Sequence, residues 1–192
     1  MPYPATTDIV FSFSLQAAYV AVNNQDGTFG TYVRGKSTKA ATIALKLVSD
    51  QAQGNAIITD VAAQVISCEV QLDTAGFEDD FLSVLLNVTP VKLTNDEYVI
   101  MGDQVRTKFF GIILQTYPDQ GDVLHFMPSM KVTSDISYKL EFGKIVVPQF
   151  KAMGIVDPHY TPAGYPNGAM WNKITRSVTG ALDPIAFPPT LS

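Results

Sequence analysis

Residues 66–73 alternate without a break: Ile66, Cys68, Val70 and Leu72 are apolar, and Ser67, Glu69, Gln71 and Asp73 are polar. A period of two sends these sets to opposite faces of a strand, one dry and one wet, as in an antiparallel sheet resting on a core. The period then changes. Phe77, Phe81 and Leu85, with Leu82 and Leu86, recur at helical spacing. Glu78, Asp79 and Asp80 fall in the first turn, where the helix dipole favours anions. The spacing predicts a helix over about 77–87, capped by Asp73 or Thr74 and ended by Thr89-Pro90.

The rest reads as short strands between turns. Residues 8–22 are rich in β-formers, and Asn23 to Gly27 form a turn cluster. Strands are expected at 28–33, 41–48, 98–101, 108–117, 123–127, 130–134, 136–142 and 145–150, with Arg34-Gly35-Lys36-Ser37 as an exposed loop. The expected fold is mainly β, a β-sandwich or partly closed β-barrel with one flanking α-helix, over residues 1–155. Residues 156–192 differ in character: they hold six of the twelve prolines, together with Tyr160, Tyr165, Trp171 and Phe187. Proline favours extended backbone and aromatic rings need somewhere to dock, so this stretch reads as an arm laid along its own surface or a neighbour's. The domain before it is expected to fold without it.

Charge narrows the function. The chain has 192 residues, of which 16% are charged, and a net charge of −5. Soluble domains carry about 25% charged residues. A charge-poor surface is one that a partner tends to cover. The negative excess is local: residues 56–101 hold eight acids against Lys92 alone. This balance argues against DNA wrapping and against anionic membranes, both of which need basic groups. No apolar stretch is long enough to span a bilayer, and the N-terminal residues lack the pattern of a secretory signal, so folding in a cytoplasm is expected.

Catalytic signatures are sparse. Arg34-Gly35-Lys36-Ser37 ends like a P-loop without its upstream glycine, and Gly27-Thr28-Phe29-Gly30 lacks the third glycine of a dinucleotide fingerprint. Cys68 sits on an apolar strand face and reads as a small buried hydrophobe. His125 lies among Val123, Leu124, Phe126 and Met127, a structural setting, and His159 falls in the proline-rich stretch. Successive helical positions point about 100° apart, so Glu78, Asp79 and Asp80 do not converge on an ion. No enzymatic activity, cofactor or metal is expected.

The segment Val65 to Leu86, then Phe109 to Tyr117 with its turn and Val123 to Pro128, then Met130 to Phe142 leading to Val146 to Met153, resembles the tail tube (major tail) proteins of long-tailed bacteriophages. The resemblance covers roughly 60–155 and includes a strand ending in the Phe126-Met127-Pro128 element. It implies six copies closing into a ring, rings stacking into a tube, and genomic double-stranded DNA passing through without specific binding. It also implies a place in the virion tail after assembly in a bacterial host's cytoplasm, beside tail terminator, distal tail and tape-measure proteins. Under this reading Glu69 and Asp73 contribute to an acidic or neutral bore, and six copies carry −30. Tyr160, Tyr165 and Trp171 belong to an arm between subunits, and the loops 25–39 and 51–55 form ring-to-ring contacts. The alternatives are another tail component of the same fold (a terminator, a distal tail or a secretion-tube subunit) and a non-viral β-barrel ligand-binding module. A carboxylate-only enzyme on a β-scaffold stands as a further alternative.

Overall fold

A computed structural model describes residues 5–35, 38–54, 57–74, 78–88, 91–92, 97–98, 107–116, 123–133, 149–175 and 187–188. The first strand, β1 (Ala5–Val22), governs the architecture. Its first half pairs antiparallel with β3 (Thr38–Gly54), from Ala5↔Ser49 to Ser14↔Ala40. Near Leu15 it changes partner and pairs with β7 (Phe110–Thr116), from Leu15↔Thr116 to Val22↔Phe110. The short β2 (Val33–Gly35) continues the line of β3 along β1.

Beyond β3 come β4 (Ile57–Thr74) and β9 (Gln149–Gly154); beyond β7 comes β8 (Val123–Val132). Because β8 also pairs with β9, the path β7–β1–β3–β4–β9–β8 returns on itself as a closed six-stranded barrel. Closure is fuller than the sandwich or half-open barrel that strand patterning alone suggests. A two-stranded pair, β5 (Val91–Lys92) with β6 (Glu97–Tyr98), stands apart.

Alternation fills the barrel. Ile43, Leu45, Cys68, Val70, Leu72, Ile112, Leu114 and Met127 form one buried cluster. A β-bulge between Leu15 and Ala17 changes the face of β1. Phe13 and Leu15 before it, and Ala18, Val20 and Val22 after it, all belong to the interior, while Ala17 and Tyr19 turn outward. Outside, Ala17, Tyr19, Ile113, Leu124 and Phe126 are roofed by Phe29, Tyr32, Tyr160, Ile174 and Phe187. The outer side of β3, β4 and β9 carries no such roof among the described residues.

The helix α1 (Asp79–Leu86) stoppers one end of the barrel. Phe81, Val84 and Leu85 enter the interior cluster, and the Phe81 ring lies 6.5 Å from that of Phe150. At Gly35 a Cβ would come within 3.0 Å of the Phe81 ring, so the helix approaches β2 where only glycine leaves room. The helix differs at both ends from the spacing-based expectation. Asp73 and Thr74 belong to β4; the cap position is Glu78, in extended conformation and without a side-chain cap bond. The helix ends at Asn87, whose left-handed backbone (φ 52°) sends its N–H to the Ser83 carbonyl, before Thr89-Pro90 is reached.

Other expectations are corrected. Residues 28–32 are irregular, and the second strand begins only at Val33. Arg34 and Gly35 are strand residues and not loop, and Gln51 to Gly54 extend β3. The strand through Phe126 does not stop at Pro128 but runs to Val132, absorbing Pro128 at a register irregularity. The strands expected at 136–142 and over most of 145–148, together with Phe77, lie outside the described residues.

The C-terminal stretch also departs from expectation. Residues 172–175 form β10 (Asn172–Thr175), which pairs with the first half of β8. Met170 and Trp171 belong to the interior cluster. Asp157, 3% exposed, accepts from the Asn23 amide at 2.6 Å through one carboxylate oxygen and from the His159 N–H at 2.9 Å through the other. The same Asn23 amide donates to the Pro128 carbonyl at 2.9 Å. Residues after the expected boundary at 155 thus pack on the barrel through β10, Met170, Trp171 and Asp157.

Candidate assembly surface

Beyond the barrel, the first half of β1, the second half of β3 and the first half of β4 continue as a three-stranded sheet. The β9 partnership of β4 begins at Cys68, so residues 57–67 bond only to β3 among the described residues. The β7 partnership of β1 begins at Leu15, so residues 5–14 also bond only to β3 among the described residues. At the usual rise of about 3.3 Å per residue, the β4 overhang reaches roughly 35 Å past the barrel. It presents two open edges among the described residues, β1 on one side and β4 on the other.

Four apolar side chains of the overhang are exposed, on both faces of the sheet and beside polar groups such as Ser12 and Gln64. Ile9 and Phe11, in line with the interior residues of β1, are 43% and 40% exposed; Val10, on the opposite face, is 57% exposed. Ile66, at a register shift between β3 and β4, is 51% exposed. Three consecutive apolar residues in an edge strand are the pattern of a strand covered on both sides. Left bare, an open apolar edge of this kind pairs with another chain.

The root of the overhang is an aromatic ladder. Phe11 stacks with Trp171 at 6.0 Å, Trp171 with His125 at 5.8 Å, and His125 with Phe13 at 4.6 Å, all with interplanar angles of 22° or less. Trp171 thus stoppers the end of the barrel away from α1. Burial holds His125 neutral: its pKa falls from 6.5 to about 4, with the nearby Lys173 ammonium adding to the effect. The unfolded chain takes up a proton near pH 6.5 and the folded chain only near pH 4. The folded state therefore loses stability as pH falls through this window, by about 3 kcal/mol at pH 4. The His125 Nδ1 has no hydrogen-bond partner, so His125→Phe breaks no bond. Urea unfolding at pH 7 and pH 4.5 should show the acid loss in the natural protein and a smaller one in His125→Phe; equal losses would contradict the assignment.

Glu69 and Asp73 both lie on the outer, polar face of β4, each half-buried. This face also carries Ser12, Thr42, Lys46, Gln71 and Lys151. Glu69 bonds Lys46 Nζ at 3.2 Å and Lys151 Nζ at 3.8 Å, and Ser12 and Thr42 share a hydroxyl hydrogen bond of 3.1 Å. One Asp73 carboxylate oxygen is buried without a hydrogen-bond partner. Among the described side chains of this face, two lysines offset two carboxylates.

Of the three aromatic residues expected in an intersubunit arm, two are occupied within their own chain. Trp171 fills the ladder, and Tyr160 lies edge-on to Phe126 at 5.0 Å. Tyr165 is 63% exposed at the tip of a turn. Cys68 is fully buried, and burial, with the neighbouring Glu69 charge, pushes its thiol up to about 12, which makes it unreactive. Among the described residues no three His, Cys, Asp or Glu side chains come together as metal ligands, and no helix is long and apolar enough to cross a membrane.

Sequence reasoning missed Val10 and Ile66 as surface residues, and missed Lys46 and Lys151 as partners of Glu69. The first omission had a signal: Ile9-Val10-Phe11 breaks the period of two. The second had none, since β3 and β9 are remote from β4 along the chain. In comparisons with known proteins, no protein-family model matches this chain and no curated protein matches it.

Proposed function

We propose that the protein is a self-assembling structural subunit whose overhanging sheets join edge to edge around a hollow axis, as in the tail tube of a long-tailed phage. The observation that carries this reading is the three-stranded overhang, open at both edges among the described residues and exposing Ile9, Val10, Phe11 and Ile66. Strands β1 and β4 are each antiparallel to β3, so they run parallel to one another. A β1 edge can meet the β4 edge of a copy turned about a common axis. Such a head-to-tail contact uses two different edges, and it closes into a ring if the rotation closes. The occupant is a second copy because the two open edges belong to one molecule and each supplies what the other lacks.

The remaining features agree. The low charge suits a subunit with neighbours on several sides. The polar face of β1, β3, β4 and β9, set at the bore, would expose small hydroxyls and amides with its two lysines tied to Glu69. Free lysines would each add a salt-dependent attraction to phosphate; a neutral wall lets a duplex slide. Glu69 and Asp73 then contribute to a neutral bore, and genomic DNA is cargo without a binding site. The barrel interior is filled with side chains, which supports a structural role over a ligand-carrying barrel. Negative-stain microscopy of the purified protein tests this: hollow rings or tubes are expected, and single compact particles at every concentration would refute it.

A further inference from the structure

On the outside of the barrel, away from the overhang, Asn23, Asn24, Gln25, Thr107, Lys108, Phe109 and Lys131 line a cleft of about 370 Å³. Its walls are fixed in place. The Asn23 N–H donates to the Phe109 carbonyl at 2.9 Å, tying the turn after β1 to the start of β7. The Asn23 side chain is buried and fully engaged: its amide holds Pro128 and Asp157, and its oxygen accepts from the Gln25 N–H at 2.6 Å. Gln25 is held there with φ at 62°. On the opposite wall the Lys131 ammonium lies 5.6 Å above the Phe109 ring, a cation–π contact that directs a long side chain over the cleft.

The chemistry of the lining is one-sided. Two ammonium groups, two side-chain amides and the Thr107 hydroxyl supply donors, and none of the lining residues is acidic. In a chain with a net charge of −5, two lysines at one preformed cleft with no carboxylate among its described lining residues are a local reversal of sign. We propose that this cleft is an oxyanion site that takes a carboxylate or phosphate group, paired with Lys108 and Lys131 and backed by the Phe109 ring. The cleft is larger than one ion needs, so the anion is carried on a larger group. Its two sources are a carboxylate of a second copy and a small phosphorylated molecule. Charge-assisted bonds from two ammonium groups in a rigid frame are the stronger class of hydrogen bond.

The test is isothermal titration calorimetry of the full chain with inorganic phosphate and, separately, succinate, each against sodium chloride at matched ionic strength. Saturable binding at one site per chain is expected, weakened by about tenfold or more in the double variant Lys108→Gln with Lys131→Gln. Both side chains are exposed or half-wet, so the variant's thermal midpoint should hold. Absence of saturable heat with either anion, or equal affinity in the variant, would overturn the proposal. Sedimentation then separates the sources. If a second copy supplies the carboxylate, phosphate and the double variant both raise the unassembled fraction; if the anion is a free small molecule, sedimentation is unchanged while calorimetry still shows the site. The calorimetry is run at concentrations where sedimentation finds single subunits, so its failure and that of the assembly reading are distinguishable.

Discussion

Ending the chain at Val156 should abolish the folded barrel, where a reading of the sequence alone expects a domain relieved of an arm. The cut removes Trp171 from the barrel's open end, Met170 from the interior, β10 from the edge of β8 and Tyr160 from the outer aromatic layer. It also removes Asp157, leaving the buried Asn23 amide with the Pro128 carbonyl alone. A fully buried Trp lost to alanine costs about 3–5 kcal/mol, and the half-buried Trp171 falls at the lower end of that range. An unsatisfied buried polar group adds about 1–3 kcal/mol. Ordinary domains have about 5–15 kcal/mol in total, so the combined loss reaches the whole stability of the fold. Trp171→Ala isolates the largest part. It should destabilise by about 3 kcal/mol or more while retaining β-sheet circular dichroism. A truncation that unfolds cooperatively near the midpoint of the full chain would show that the interior is complete without this segment.

The second large effect falls on assembly and spares the fold. Val10→Lys with Ile66→Lys places one charge on each open edge of the overhang. Both side chains are more than half exposed, so little buried area is lost, and surface changes of this kind usually stay within about 0.5 kcal/mol. Charged side chains on edge strands are the natural device against edge-to-edge pairing. In an assembled ring the same lysines would be desolvated without partners, at several kcal/mol each. The expected outcome is a soluble, folded single subunit with an unchanged unfolding midpoint and no rings or tubes by sedimentation velocity. Normal tubes from this variant would place the subunit contacts elsewhere.

Much of the barrel is visible in the sequence because its strands each have one dry and one wet face. The alternation from Cys68 to Asp73 and the helical spacing of Phe81, Leu82 and Leu85 correspond to what forms, whereas the register shift at Ile66 turns that side chain to the surface and buries Ser67. What escapes is what depends on pairing between distant segments. Barrel closure rests on β8 meeting β9, a contact no local period encodes. The bulge near Leu15 shifts the register by one residue, so strict alternation misplaces Ala17 and Tyr19. The proline-rich composition of 156–192 hides a strand at Asn172 to Thr175 and a Trp that belongs to the interior; neither residue type nor spacing says which surface a docked aromatic will find. The pairing of charges escapes for a similar reason. Counting charge along residues 56–101 leaves Lys46 and Lys151 outside the window, yet the sheet sets both against Glu69.

The central claim is that another copy covers the overhang. Hydrogen exchange followed by mass spectrometry, on peptides spanning 5–14 and 57–67, reads it directly, because an open strand edge leaves every second amide unbonded. Across a concentration series from single subunits to the largest particles obtained, both segments should change together from rapid exchange to strong protection, while the barrel strands stay protected throughout. Particles that form while these two segments keep exchanging at the single-subunit rate would contradict the account.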